Sequence, residues 1–212
     1  EIFMEVKFNI TIVSLIGCIS IYGITSSLLT PLISIILEHR KVDTTIIGVM
    51  AMIAPAGLII GAFFVSKIMR NLAGRKLLIL GIIFEILLVF ALINTQSIEL
   101  WFLIRFFGGF ADSILFVVTE TWLMEITSRK KRGRIMGFYN SIMMMSFAIG
   151  PLILSISGSK GILPFIICII LMIFAGLPLL FTDKHSPSHI EKPSFNVVSF
   201  MLFAPLLALA CF

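Results

Sequence analysis

The chain has 212 residues, of which 59% are hydrophobic and 13% charged, with a formal net charge of +5 and a mean hydropathy of +1.13. A soluble domain carries about 25% charged residues, so this sequence cannot cover itself with a water-facing surface, and most side chains must be solvated by lipid or by other membrane helices. The positive charge does not point to nucleic acid, because the basic residues lie in short runs between apolar segments.

A hydrocarbon core of about 30 Å needs roughly 20 apolar residues per helix. Six stretches meet this, and the spacing predicts helices over 8–37, 45–66, 77–93, 98–121, 135–156 and 162–181, with a seventh starting at Phe195. The runs are continuous, whereas a membrane strand would alternate with period two, so the fold class is an all-α membrane bundle. Helix one is long enough to tilt or bend at Pro31, and it carries Asn9, Ser14, Ser20, Tyr22, Thr25, Ser26 and Thr30 as polar groups. Small hydroxyls of this kind also serve ordinary helix packing. Helix three holds Glu85. Helix four holds Arg105, Asp112 and Glu120, and is bracketed by Trp101 and Trp122. Their separation corresponds to about 31 Å along a helix, which suits a pair of indoles at headgroup level. Helix five holds Tyr139, Asn140 and the pair Gly150-Pro151, where the missing backbone donor should bend or loosen it.

Three units result: a transmembrane bundle over 1–181, a polar linker over 182–194 punctuated by Pro187 and Pro193, and the beginning of a second bundle over 195–212. The chain opens at Glu1 without a methionine and stops at Phe212 inside an apolar run, which reads as an incomplete protein, and no signal-peptide pattern opens it.

With six spans, twelve Lys and Arg residues fall on one side: Lys7, the 67–76 loop, the 129–134 loop, Lys184 and Lys192. The other side has Arg40, Lys41 and Lys160. Excess Lys and Arg mark the cytoplasmic face. The N-terminus is therefore expected on the cytoplasmic side of the membrane.

Charges inside lipid are expensive and need a reason. Arg105 and Asp112 are seven residues apart, on nearly one face and about 10 Å apart along the axis. With Gly109 they form a polar stripe that must face protein or a water-filled cavity. Asp112 falls near the bilayer midplane, where transporter sites tend to lie, and a role in coupling or substrate binding competes there with simple hydrogen bonding to a neighbouring helix. Glu85 could pair structurally with Arg105, and Glu120 could reach the interface. The enzymatic classes have little support. His39, His185 and His189 all lie outside the spans, Cys18, Cys168 and Cys211 are widely separated with no metal spacing, and no phosphate-cradling glycine loop occurs. No metal and no cofactor are expected.

Four motifs add a resemblance. The loop Lys67-Ile-Met-Arg70-Asn71-Leu72-Ala73-Gly74-Arg75-Lys76 is similar to a family pattern G-x-x-x-D-R-x-G-R-K/R. Gly74, Arg75 and Lys76 match it, while Lys67, Asn71 and Leu72 replace the glycine, the acid and the arginine. Arg105-Phe-Phe-Gly108-Gly109 looks like an R-x-x-x-G element. Glu125 followed by Arg132-Gly133-Arg134 and Gly137 is similar to the family's loop between helices four and five. Gly150-Pro151 resembles the core of an exporter signature, without its flanking glycines. Together with the topology, these resemble the N-terminal half of a major facilitator superfamily transporter, nearest to bacterial drug- or sugar-type members of unassigned substrate. The resemblance implies a six-helix bundle built as a 3+3 inverted repeat. It further implies a small-molecule substrate moved by alternating access, with proton coupling and efflux as its possible mode, Arg105, Asp112, Glu120, Glu85, Tyr22 and Asn140 as candidate coupling or substrate residues, and a second bundle of the same protein as partner. The rival class is a channel subunit or membrane scaffold.

Overall fold

The computed structural model describes residues 2–69, 71–159 and 161–182. The linker from Asp183, the start of a seventh helix, and with them Lys184, His185, His189, Lys192 and Cys211, lie outside the described residues, as do Arg70 and Lys160.

Six α-helices follow one another: α1 (Ile2–His39), α2 (Thr44–Ile68), α3 (Gly74–Asn94), α4 (Ile98–Ile126), α5 (Arg132–Ser157) and α6 (Leu163–Gly176), the last continuing into a 3₁₀ turn (Pro178–Phe181). All six expected spans are present, and each is long and apolar enough to cross a membrane. Five begin or end beyond their apolar stretch. In lipid the backbone must satisfy its own hydrogen bonds, so the helix runs on through polar residues until a cap stops it. Asp43 Oδ1 accepts from the Thr45 N–H at 2.8 Å at the start of α2. Hydrogen bonds from the Thr45 side chain and backbone hold the Asp43 carboxyl below its ordinary range. Ser97 Oγ caps the Leu100 N–H at 3.3 Å at the start of α4. Lys41 (φ 57°) takes the left-handed conformation just past α1, a usual way of closing a helix, and Gly158 leaves α5 with φ 75° and ψ 168°.

Two crossings dominate the packing, α2 on α4 and α1 on α5; α3 on α4 and α1 on α6 come next. Exchanging α1–α3 for α4–α6 maps each member of these pairs onto the other. Because each triplet has three spans, the second starts from the opposite face, which is the inverted repeat implied by the resemblance.

Glycines bring both crossings to backbone contact. A Cβ on Gly57 of α2 would strike the Phe106 carbonyl oxygen of α4, and one on Gly109 of α4 would strike the Ala54 carbonyl oxygen and lie 2.9 Å from Leu58 N. Gly150 of α5 does the same to α1, with a Cβ falling 2.6 Å from Ile24 O and from Leu28 N. Lipid tails are as apolar as leucine, so helices in a membrane associate through such close packing rather than hydrophobic drive. Gly150 thus serves close approach, and Pro151 sits inside an unbroken α5, as Pro31 does inside α1.

The tryptophans depart from expectation. Trp101 and Trp122 are each 1% exposed. Trp122 packs in a core cluster with Leu15, Met69, Leu123 and Leu179, and Trp101 packs in a second with Leu37, Met50, Val89 and Phe165. Their spacing does put them near the two ends of the span, but their faces point inward, so neither is a headgroup anchor. The outward positions are taken by aliphatic and aromatic side chains such as Met52, Phe63, Leu87, Leu152 and Ile156.

Overpacking a close crossing should destabilise the bundle by about 1–3 kcal/mol or more. We expect Gly109→Val and Gly57→Val to lower the melting temperature of detergent-purified protein by several degrees. Gly133→Ala, at a position with open space around it, should leave it unchanged.

Candidate functional site

The side chains singled out on α4 fall on two sides of the helix, Arg105 and Asp112 toward α1 and Glu120 toward α5. Arg105 is 8% exposed; its Nη2 donates to Thr30 Oγ1 of α1 at 3.4 Å, and its Nε has no hydrogen-bond partner among the described residues. Asp112, two turns on, is half-buried and accepts a hydrogen bond from the Tyr22 hydroxyl of α1. Tyr22 is fully buried, and its ring is held edge-on against Phe116, with centroids 5.6 Å apart. Farther along, Glu120 accepts from the Tyr139 hydroxyl of α5 at 3.4 Å. Asp112 and Glu120 are therefore each met by a phenol, from two different neighbouring helices.

Arg105 and Asp112 share one open cavity of about 290 Å³, lined by α1, α2, α4 and α5. Thr30 and Ser26 supply hydroxyls, while Pro55, Leu58, Phe116 and Phe147 supply apolar walls. This is the usual make-up of a small-molecule site, mostly apolar with a few convergent polar groups.

Glu85 of α3 is 5% exposed and lies behind Arg105, away from the cavity. Gly108 leaves room for it, since a Cβ there would come to 3.7 Å from Glu85 Oε2. Glu85 Oε2 and Arg105 Nε each lack a hydrogen-bond partner among the described residues. No hydrogen bond between these two atoms closes the pair expected across α3 and α4. Asn140 is exposed on α5 and does not line the cavity.

The loop motifs do structural work at the end of the bundle that carries the 127–131 turn. Gly74 is buried at the first residue of α3, and Arg75 Nη1 donates to the Thr182 carbonyl at 3.3 Å, tying the start of α3 to the end of the sixth span. Arg132 Nε donates to the Thr127 carbonyl at 3.1 Å, a cation on the last carbonyls of α4, where the helix dipole favours it. Lys76, Glu125, Gly133 and Arg134 are exposed. Sequence reasoning missed Pro55, Leu58 and Phe147 as cavity residues. Nothing local marks them, because residues of these types recur throughout the apolar runs.

The sequence pattern of the Major Facilitator Superfamily matches residues 15–212. The chain belongs to the Major Facilitator Superfamily. It is 32% identical over 173 residues, 82% of its own length and 44% of the relative's, to the uncharacterized MFS-type transporter YfkF of Bacillus subtilis. An uncharacterized MFS-type transporter of Yersinia pestis is 24% identical over 179 residues, 84% of this chain and 46% of the relative. One of Yersinia enterocolitica is 23% identical over 163 residues, 76% and 42%. The chain thus spans just under half the length of the curated relatives it matches. Membership fits the six apolar helices and the repeat.

Removing one member of a buried charge pair strands the other, at about 3–5 kcal/mol, whereas replacing both is often close to neutral. Glu85→Leu should therefore destabilise the bundle strongly, and adding Arg105→Met should recover most of the loss. A double-mutant cycle of thermal melts checks this.

Proposed function

We propose that this chain supplies one of two bundles of a secondary transporter that moves a small solute by alternating access, coupled to protons and operating in the direction of efflux. The carrying observation is the cavity in which Asp112, bonded to Tyr22, shares its space with Arg105, bonded to Thr30. A carboxylate that is half out of water can exchange a proton at modest cost. A phenol that donates to it when ionised can turn to other partners when it is protonated. Arg105 stays charged throughout and fixes the local field.

In this reading the missing wall of the cavity is a second bundle, and the two bundles rock about the shared site. The surfaces of α2 and α5, the least buried spans of the six, support this, because they flank the cavity and would face the partner bundle. The apolar lining favours a solute with a lipophilic body. The basic loops at 67–76 and 129–134 would lie in the cytoplasm of a bacterial inner membrane, by the excess of Lys and Arg at that end.

Two measurements test this. The full-length product of the gene, reconstituted in liposomes under an imposed pH gradient, should lose gradient-driven transport at least tenfold on Asp112→Asn and less severely on Tyr22→Phe, with folding intact by size-exclusion profile. Unchanged transport in Asp112→Asn would remove the carboxylate from the mechanism. A cysteine placed at Lys130 in whole cells should resist a membrane-impermeant maleimide until the membrane is opened; immediate labelling would invert the topology.

A further inference from the structure

A second and larger cavity, of about 550 Å³, lies at the opposite end of the bundle from the 127–131 turn and shares no residue with the one at Asp112. It is formed where the end of α1, the α3–α4 connection and the start of α6 meet. Its floor is apolar, made of Ile36, Leu92, Ile93 and Phe165, with the half-exposed Ile162 at its edge. Its rim carries Arg40 and His39, and among the described residues no Asp or Glu lines it. The nearby carboxylate of Glu99 is engaged by the Ser97 hydroxyl at 3.1 Å.

Arg40 is built into this rim. Its guanidinium stands over the Trp101 ring, 4.6 Å from the centroid, and its Nη1 donates to the Gln96 carbonyl at 3.2 Å. Trp101 is itself fixed, being 1% exposed with its indole N–H donated to the Thr95 carbonyl at 3.1 Å. An arginine has five N–H donors, and the stacking and the single carbonyl bond leave most of them free for a ligand. Stacked and tethered, the fork is oriented in advance, which lowers the entropy cost of engaging a second group. The volume falls in the range of sites for drug-sized ligands, about 300–1,000 Å³.

We propose that this cavity binds an anionic amphiphile, its phosphate or carboxylate head on Arg40 and its apolar body on the floor of Ile36, Leu92 and Phe165. The head could belong to a membrane lipid or to a free organic anion, since both present the same chemistry to the guanidinium.

The test uses the full-length protein in a neutral maltoside detergent, with octyl phosphate as probe and octyltrimethylammonium as its cationic match. Octyl phosphate should raise the melting temperature in a saturable way and octyltrimethylammonium should not. Arg40→Gln should shift the half-saturating concentration at least tenfold upward, and Arg40→Lys should shift it less. Ile162→Trp fills the cavity from a position 56% exposed, so it should fold normally and abolish the response, which keeps the test informative if Arg40→Gln does not fold. An equal response to both amphiphiles, or an unaltered midpoint in Arg40→Gln and Ile162→Trp, would overturn the assignment. Melting in nanodiscs then separates the sources. Stabilisation by phosphatidylglycerol over phosphatidylcholine in wild type but not in Arg40→Gln assigns the site to a lipid headgroup. Equal melting in both lipids, with octyl phosphate still binding, assigns it to a free anion.

Discussion

Backbone meets backbone at two helix crossings, and the rest of the bundle is arranged around that fact. In lipid there is little to gain from hiding apolar surface, so the helices are held by how closely they can approach. Gly57 and Gly109 admit α2 to α4, and Gly150 admits α5 to α1. These two contacts are images of each other under the repeat, and they make α1 and α4 the inner pair. Every intramembrane charge is carried on or against this pair. Arg105, Asp112 and Glu120 are on α4, and Glu85 reaches it from α3, because only there can a charge find protein partners instead of hydrocarbon.

Much of this architecture was legible in the sequence, for a reason that belongs to membranes. A span must be apolar for about 20 residues and its connections must not be, so the helices and their order can be counted directly. Hydropathy marks the hydrocarbon thickness and not the helix, however. α3 begins at Gly74, ahead of its expected start at 77, because Arg75 and Lys76 can be helical while their head groups reach away from the apolar core. α4 likewise runs to Ile126, past the expected end at 121.

The site was legible by residue but not by partner. Tyr22 and Asp112 were both visible as polar groups in apolar runs, yet nothing local says that they meet across 90 residues of sequence. Asn140 has the same chemistry as its neighbours in the candidate set and turns out to be exposed, one step around the helix from the buried Tyr139. Arg75 belongs to a recognisable motif, but its attachment to the Thr182 carbonyl depends on where the sixth span ends. Spacing fixes the face of a helix; only the crossing angles and glycine contacts decide what that face meets. The two tryptophans show the same limit, because their depth follows from their positions whereas their inward orientation does not.

That inward orientation has a practical side. An indole at the lipid surface reports on whatever surrounds the protein, and its emission shifts when detergent is exchanged for bilayer. Trp101 and Trp122 are enclosed by protein at opposite ends of α4. The Trp122 emission should therefore be blue and nearly indifferent to the surrounding amphiphile, and a red shift there would mean that the helices themselves have come apart.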